Sequence, residues 1–472
     1  MRYVSTRGEA PELFFDDVLL AGLAQDGGLY VPVDWPAFTA EEIREMRGLD
    51  YAATAARVMA PFVGAALTDE ELEEVTRKAY AGFTHPAVAP LVQVGPDDWV
   101  LELFHGPTLA FKDYALQVVG QLFDLILTRR GERITVVGAT SGDTGSAGIE
   151  ACRDREAVDI VMLFPKGRVS PVQRRQMTTV TSANVHCLEI DGTFDDCQDL
   201  VKAMFNDAAF RSDMNLSAVN SINWARVAAQ VVYYFYAALR LGAPDRPMSF
   251  SVPTGNFGNV LAGWVAKQMG LPVERLVVAS NSNDILTRFL ESGSMEKTGV
   301  VKTHSPSMDI QISSNFERLL FELFGRDAAE VRARMTSFAQ GGRYEIPGDL
   351  LQEMLGLFRG FRVSDDDTVA EIQALKQRCG VVVDPHTAVA IAAAREAGHR
   401  SPEGPLITLA TAHPAKFPAV GAQATGIEPA LPPFLADLHE RPERFDSAPN
   451  DLEAVKAVVR AKSRVGSSGA AP

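Results

Sequence analysis

Lys112 stands in the run Phe104-His105-Gly106-Pro107-Thr108-Leu109-Ala110-Phe111-Lys112-Asp113. The flanking pattern predicts a strand over 99–104 and a helix over 114–127, so the lysine falls at a helix N-terminus near a sheet edge. The partial positive charge of that helix end opposes the charge of the lysine. An amine held there, partly desolvated, gives up its proton more readily and becomes a nucleophile. Lysines of this kind form Schiff bases with carbonyl compounds. The competing reading is a solvated lysine after a turn, the common fate of this residue type.

Three further loops carry chemistry-bearing residues. Ala139-Thr140-Ser141-Gly142-Asp143-Thr144-Gly145 combines small residues with hydroxyls, and its helix-start amides could hold an anion. Pro253-Thr254-Gly255-Asn256-Phe257-Gly258-Asn259 suits a phosphate cradled by backbone amides. It is neither a Walker A loop nor a GxGxxG fingerprint. Ala410-Thr411-Ala412-His413-Pro414-Ala415-Lys416-Phe417 gathers a hydroxyl, an imidazole and an amine. Each of these loops also reads as an ordinary capped turn, with His413 as a cap or packing residue. Asn220-Ser221-Ile222-Asn223-Trp224-Ala225-Arg226 could grip a phosphate or carboxylate at a helix start. Its plainer reading is capping by Asn or Ser, with Arg226 in a structural ion pair. Asp384-Pro385-His386-Thr387 reads as structural: Asp as cap, Pro at the first helical position.

The elements that must position these loops alternate. Strands are predicted over 133–137, 158–164, 185–190, 248–252, 275–279, 381–383 and 406–410. Helices are predicted over 142–151, 171–181, 194–207, 257–269 and 388–394. This βα alternation implies parallel sheets covered by helices, with ligands beyond the C-terminal ends of the strands. The first ninety residues differ, with helical periodicity over 40–46, 51–63 and 69–80. The apolar run 227–239 is too short to span a bilayer and reads as a buried helix.

At 472 residues the chain exceeds one ordinary core. With 46% hydrophobic and 22% charged residues, its composition is that of a soluble globular protein. A formal net charge of −15 argues against a polyanion-binding surface, though not against a basic pocket. Cys152, Cys187, Cys197 and Cys379 have neither CxxC nor metal-ligand spacing, so free thiols in a reducing cytoplasm are expected and no metal. The N-terminus lacks an apolar signal core.

As an ordered set, five stretches resemble the threonine synthase family, pyridoxal-phosphate enzymes of fold type II related to the tryptophan synthase β-subunit. They are His105 to Asp113, Thr140 to Gly145, Asn220 to Asn223, Gly255 to Asn259 and Thr411 to Phe417. The start, with Tyr3-Val4-Ser5-Thr6-Arg7-Gly8 and Asp26-Gly27-Gly28-Leu29-Tyr30, is similar to the N-terminal domain of that family. The resemblance reaches to about residue 420 and implies an α/β fold: two doubly wound parallel-sheet lobes plus an N-terminal mainly helical domain. The expected division is 1–91, a two-lobed catalytic domain over 92–430, and a C-terminal helix and disordered tail over 431–472.

The resemblance also implies roles. Lys112 would carry pyridoxal 5′-phosphate as a Schiff base and serve as the base beside the substrate's Cα. Gly255, Asn256, Phe257, Gly258 and Asn259 would hold the cofactor phosphate, and Thr411 its pyridine nitrogen. A neutral hydroxyl at that nitrogen makes a milder electron sink than a carboxylate. Ser141, Asp143 and Thr144 would face the substrate's amino-acid end and the cofactor's 3′ oxygen. Asn220, Ser221 and Arg226 would take the substrate phosphate. The implied reaction converts O-phospho-L-homoserine and water to L-threonine and phosphate by γ-elimination and β-addition. A phospho-lyase acting on a similar substrate and a non-catalytic cofactor-binding protein remain alternatives. The implied partner is a small molecule, with no nucleic acid or membrane, in a monomer or homodimer.

Overall fold

The computed structural model describes residues 1–396 and 404–465. Two parallel sheets organise the chain. The larger has six strands in the order Phe358–Arg362, Val273–Ser280, Met248–Pro253, Leu406–Ala410, Asp98–Glu102 and Leu91–Gln93. All run parallel except the last, which pairs antiparallel with Asp98–Glu102. The smaller sheet is wholly parallel, in the order Asp446–Pro449, Val185–Asp191, Val158–Pro165, Ile134–Ala139 and Leu216–Ser217. Every residue of Met248–Pro253 and of Val158–Pro165 is buried. Strands buried on alternate residues alike must be covered on both faces, as doubly wound sheets are.

The N-terminal segment adds a three-stranded antiparallel sheet and helices started by side-chain caps. Thr39 and Thr68 each form a reciprocal capping box, with Glu42 and Glu71, and Asp50 accepts the Ala53 N–H to start Tyr51–Val63. These helices share one core with both parallel sheets. At its centre lies Trp224–Arg240, in which every residue up to Leu239 is buried. It packs against Tyr51–Val63, Lys112–Arg130 and Gly258–Gln268. No helix among the described residues is long and apolar enough to cross a membrane.

The predicted strand over 381–383 does not form. Those three valines are irregular backbone whose side chains pack with Ile372, Leu375 and Ala388. Their β-branched apolar pattern reports burial, but both neighbouring positions beside Leu406–Ala410 are already taken by Met248–Pro253 and Asp98–Glu102. The helix read through 388–394 starts at Pro385, as the Asp-Pro run predicts, with Asp384 accepting the N–H groups of His386 and Thr387. The segment after residue 430 contributes the edge strand Asp446–Pro449 and the helix Leu452–Lys462. The tail expected to be disordered, 464–472, falls mostly outside the described residues, which end at Val465.

Candidate active site

Lys112 is the first residue of the helix Lys112–Arg130. No side chain caps that helix from its N-cap position. Instead the buried carboxylate of Asp113, in its first turn, accepts the Thr108 N–H (2.9 Å) and the Thr108 hydroxyl (2.6 Å). Burial pushes the Asp113 carboxyl up to about 6, against the pull of the Thr108 bonds. The loop before the helix is stitched to the end of a neighbouring strand: Phe111 N–H donates to Thr411 O and His413 N–H to Leu109 O. Leu109, at φ 61°, makes the turn. Thr411 is thereby fixed beside the lysine and is buried.

The Lys112 ammonium lies 3.3 Å from Asp143 Oδ2, with 11% of its side chain exposed. Asp143 opens the helix Asp143–Cys152 at the C-terminal end of Ile134–Ala139. Its other oxygen receives Lys416 Nζ at 2.7 Å and Gln173 Nε2 at 2.8 Å. Lys416 is fully buried and also donates to Thr108 O at 2.7 Å. Ser307 Oγ reaches Asp143 Oδ2 at 3.4 Å. Burial alone would raise the Asp143 carboxyl, but Lys416 and Lys112 overcome that and hold it well below the usual carboxylate range. Lys112 moves the other way: burial, with Lys416 and Arg226 as further cations, lowers its amine in spite of Asp143.

The cradle over 253–259 is built from backbone. Phe257 adopts φ 62° and turns the chain into the helix Gly258–Gln268, whose first-turn amides have no intrahelical acceptor. Ser313 Oγ donates to Gly255 O, and Asn315 donates to Asn256 O from both its backbone N–H and Nδ2. The same Nδ2 also donates to Ser221 O at 3.1 Å. Arg318, itself buried, donates to the Asn315 side chain, to Ile222 O and to Tyr30 O. The cradle and the loop over 220–223 are thus fastened to each other. A Cβ on Gly255 would meet Ser307 O at 2.8 Å, so only glycine lets these segments approach. Asn259 accepts from the hydroxyls of Tyr233 and Tyr234, which leaves its Nδ2 donor buried and without a partner among the described residues.

Arg226 is buried in the first turn of Trp224–Arg240, and the ion pair considered for it is absent among the described residues. Its Nη1 donates to Val219 O at 3.0 Å, and its Nε has no partner among the described residues. Burial pushes the guanidinium down to about 10. Ser221 lies beside the cradle through Asn315, whereas Asn220 and Ser141 are exposed and Thr144 half-buried. No hydrogen bond among the described residues ties those three to Lys112. Asn223 is structural: its side chain caps the helix and donates to Leu19 O. His413 is a cap, accepting the Ala415 N–H, and stacks edge-on to Phe104. Gln173, Ser307, Ser313 and Asn315 carried no sequence signal. Lys416 did, as the amine in the run that holds Thr411.

Comparison with known proteins gives a consistent result. The signature described as "Threonine synthase N terminus" matches residues 2–80, "Pyridoxal-phosphate dependent enzyme" matches 88–412, and "Threonine synthase, C-terminal" matches 387–459. A threonine synthase from Pseudomonas aeruginosa is 54% identical over 460 residues, covering 97% of this chain and 98% of that protein. The crystal structure of a PLP-bound threonine synthase from Brucella melitensis superposes with a TM-score of 0.96 at 56% identity, covering 98% of this chain and all of that one. Yeast threonine synthase superposes with a TM-score of 0.92 at 38% identity, each chain covered to 98%. The chain belongs to the threonine synthase family of pyridoxal-phosphate-dependent enzymes.

Proposed function

We propose that this chain converts O-phospho-L-homoserine and water to L-threonine and phosphate, with Lys112 as the residue that carries the cofactor. The observation that supports it most is the Lys112 amine: desolvated at a helix N-terminus, held loosely by one carboxylate and biased toward its neutral form. The residues present fit pyridoxal phosphate. The cradle offers unpaired first-turn amides, a glycine that no side chain could replace without a clash, and an orphaned Asn259 donor. Gly255, Asn256, Phe257, Gly258 and Asn259 would hold its phosphate and Thr411 its ring nitrogen. When bound, the cofactor supplies an electron sink for negative charge on the substrate carbons.

The chain's own residues supply the rest. Lys112 takes and returns protons at Cα, as the strongest base within reach. Ser221 and Arg226, with Asn220, would receive the substrate phosphate. A buried guanidinium whose Nε has no partner, and which has no carboxylate partner, among the described residues suits a dianion. Ser141, Asp143 and Thr144 would face the substrate's amino-acid end and the cofactor's 3′ oxygen. A reducing compartment such as the cytoplasm suits the four cysteines, all unpaired. Titration of the purified protein with O-phospho-L-homoserine tests the proposal. It expects a change in cofactor absorption with stoichiometric threonine and phosphate. 2-Oxobutyrate as the product would replace it with a phospho-lyase, and absence of turnover would reject it.

A further inference from the structure

Two lysines share one carboxylate at this site, and they share it unequally. Lys416 is wholly buried and bonds Asp143 Oδ1 at 2.7 Å, while Lys112 keeps 11% exposure and lies 3.3 Å from Oδ2. Lys416 cannot swing elsewhere. Its second bond goes to Thr108 O, and its backbone belongs to the short turn Pro414–Lys416. That turn is fastened by the His413 cap and by the bond from His413 N–H to Leu109 O. A buried ammonium needs a counter-charge, and Asp143 is the only carboxylate within ion-pair distance of Lys416 among the described residues. The carboxylate in turn has few solvent contacts and is steadied by Gln173 and Ser307. The charged groups facing Lys112 are Asp143, Lys416 and Arg226. Without Lys416, Asp143 would be left with Lys112 as its principal counter-charge and would hold that amine in its protonated form.

We infer that Lys416 is a positioning residue: the permanent counter-charge of Asp143, which leaves Lys112 only a loose share of that carboxylate and therefore free to act as nucleophile and base. A carboxylate can then occupy this helix start and fix the lysine's direction without pinning its proton. The inference rests on Lys112 as the cofactor lysine, and that reading has its own check. Borohydride reduction of the loaded protein followed by peptide mapping must place the cofactor on Lys112. Another labelled residue would reject that reading whatever Lys416 does.

The test of Lys416 uses the cofactor-free protein. The rate of Lys112 acetylation by acetic anhydride, read by mass spectrometry across pH, gives the midpoint at which the amine loses its proton. K416M should raise that midpoint by about one unit, so that labelling below it slows about tenfold. K416R, which keeps the charge, should stay near the parent. D143N leaves Lys416 uncompensated and should lower the midpoint. The double variant D143N/K416M removes both buried charges and should return it toward the parent value. A K416M chain that fails to fold while the double variant folds supports the same dependence. An unchanged midpoint in folded K416M, or a double variant that follows K416M, overturns the inference.

Discussion

The two walls of the site handle charge by different means. One wall, residues 253–259 with 220–223, is held by main-chain geometry: a left-handed Phe257, amides at a helix start, and carbonyls drawn together by Asn315 and Arg318. The other is held by side chains: Asp143 with Lys416, Gln173, Ser307 and Lys112. A wall made of amides recognises an anion whatever side chains decorate it, but it tolerates no added atom where segments touch. In a wall made of ionised groups, function depends on the balance of charge. The first suits permanent retention of a phosphate. The second suits a group whose protonation must change during turnover.

Lys112→Ala cuts across both walls and is the most severe change. Cofactor absorption from the Schiff base should vanish, and turnover should fall at least ~10³-fold in a steady-state assay. Gly142→Ala strikes the charged wall through its backbone. At φ 148° an alanine is strained by about 1–3 kcal/mol, and its Cβ would meet the Gln173 side chain at 2.5 Å. Displacing Gln173 removes one of the two donors to Asp143 Oδ1, so kcat/KM should fall about tenfold or more, with cofactor affinity changed less. Gly255→Ala is the matching insult to the amide wall. Contact with Ser307 O should raise the cofactor Kd about tenfold, measured by equilibrium dialysis. Equal effects of the two glycine variants on affinity and turnover would erase the distinction between the walls.

Asn256→Ala sharpens the comparison from the other side. The Asn256 side chain is exposed and the backbone amide survives, so cofactor Kd should rise by only about threefold. The last comparison concerns pH. Burial, with His105 as a nearby ring, pushes the His413 imidazole down to about 4. Its Nδ1 accepts the Ala415 N–H, which requires the neutral ring. The unfolded chain therefore binds the extra proton between about pH 6.5 and 4. Stability should fall as pH drops through that window, by up to about 2 kcal/mol. His413→Asn keeps a capping acceptor and should flatten the dependence in urea unfolding at pH 4.5 against pH 7.

What the sequence disclosed follows the same division. The Lys112 turn, the glycine cradle and most strands were legible because local pattern and turn chemistry determine them. Even so, the helix at Lys112 begins two residues before the predicted start, since Asp113 and Thr108 close its first turn. The stretch 281–380 went largely unread. Ser307, Ser313 and Asn315 lie there in polar, irregular chain whose meaning comes from bonds to Asp143, Gly255 and Asn256. Nothing in their neighbours in sequence encodes those partners. Lys416 was visible as an amine at a strand end, but its pairing with Asp143 spans most of the chain. The valines at 381–383 misled because burial and strand pairing leave the same apolar signature.

The order of strands has a consequence for how the chain is made. Leu406–Ala410 fills the gap between Met248–Pro253 and Asp98–Glu102, and Asp446–Pro449 closes one edge of the smaller sheet. As the polypeptide leaves the ribosome, the larger sheet stays split in two until residues 406–410 emerge, and the smaller keeps a bare edge until residues 446–449 follow. Thr411 and Lys416 arrive with these strands. The Lys112 amine is therefore synthesised well before the residues that complete its surroundings.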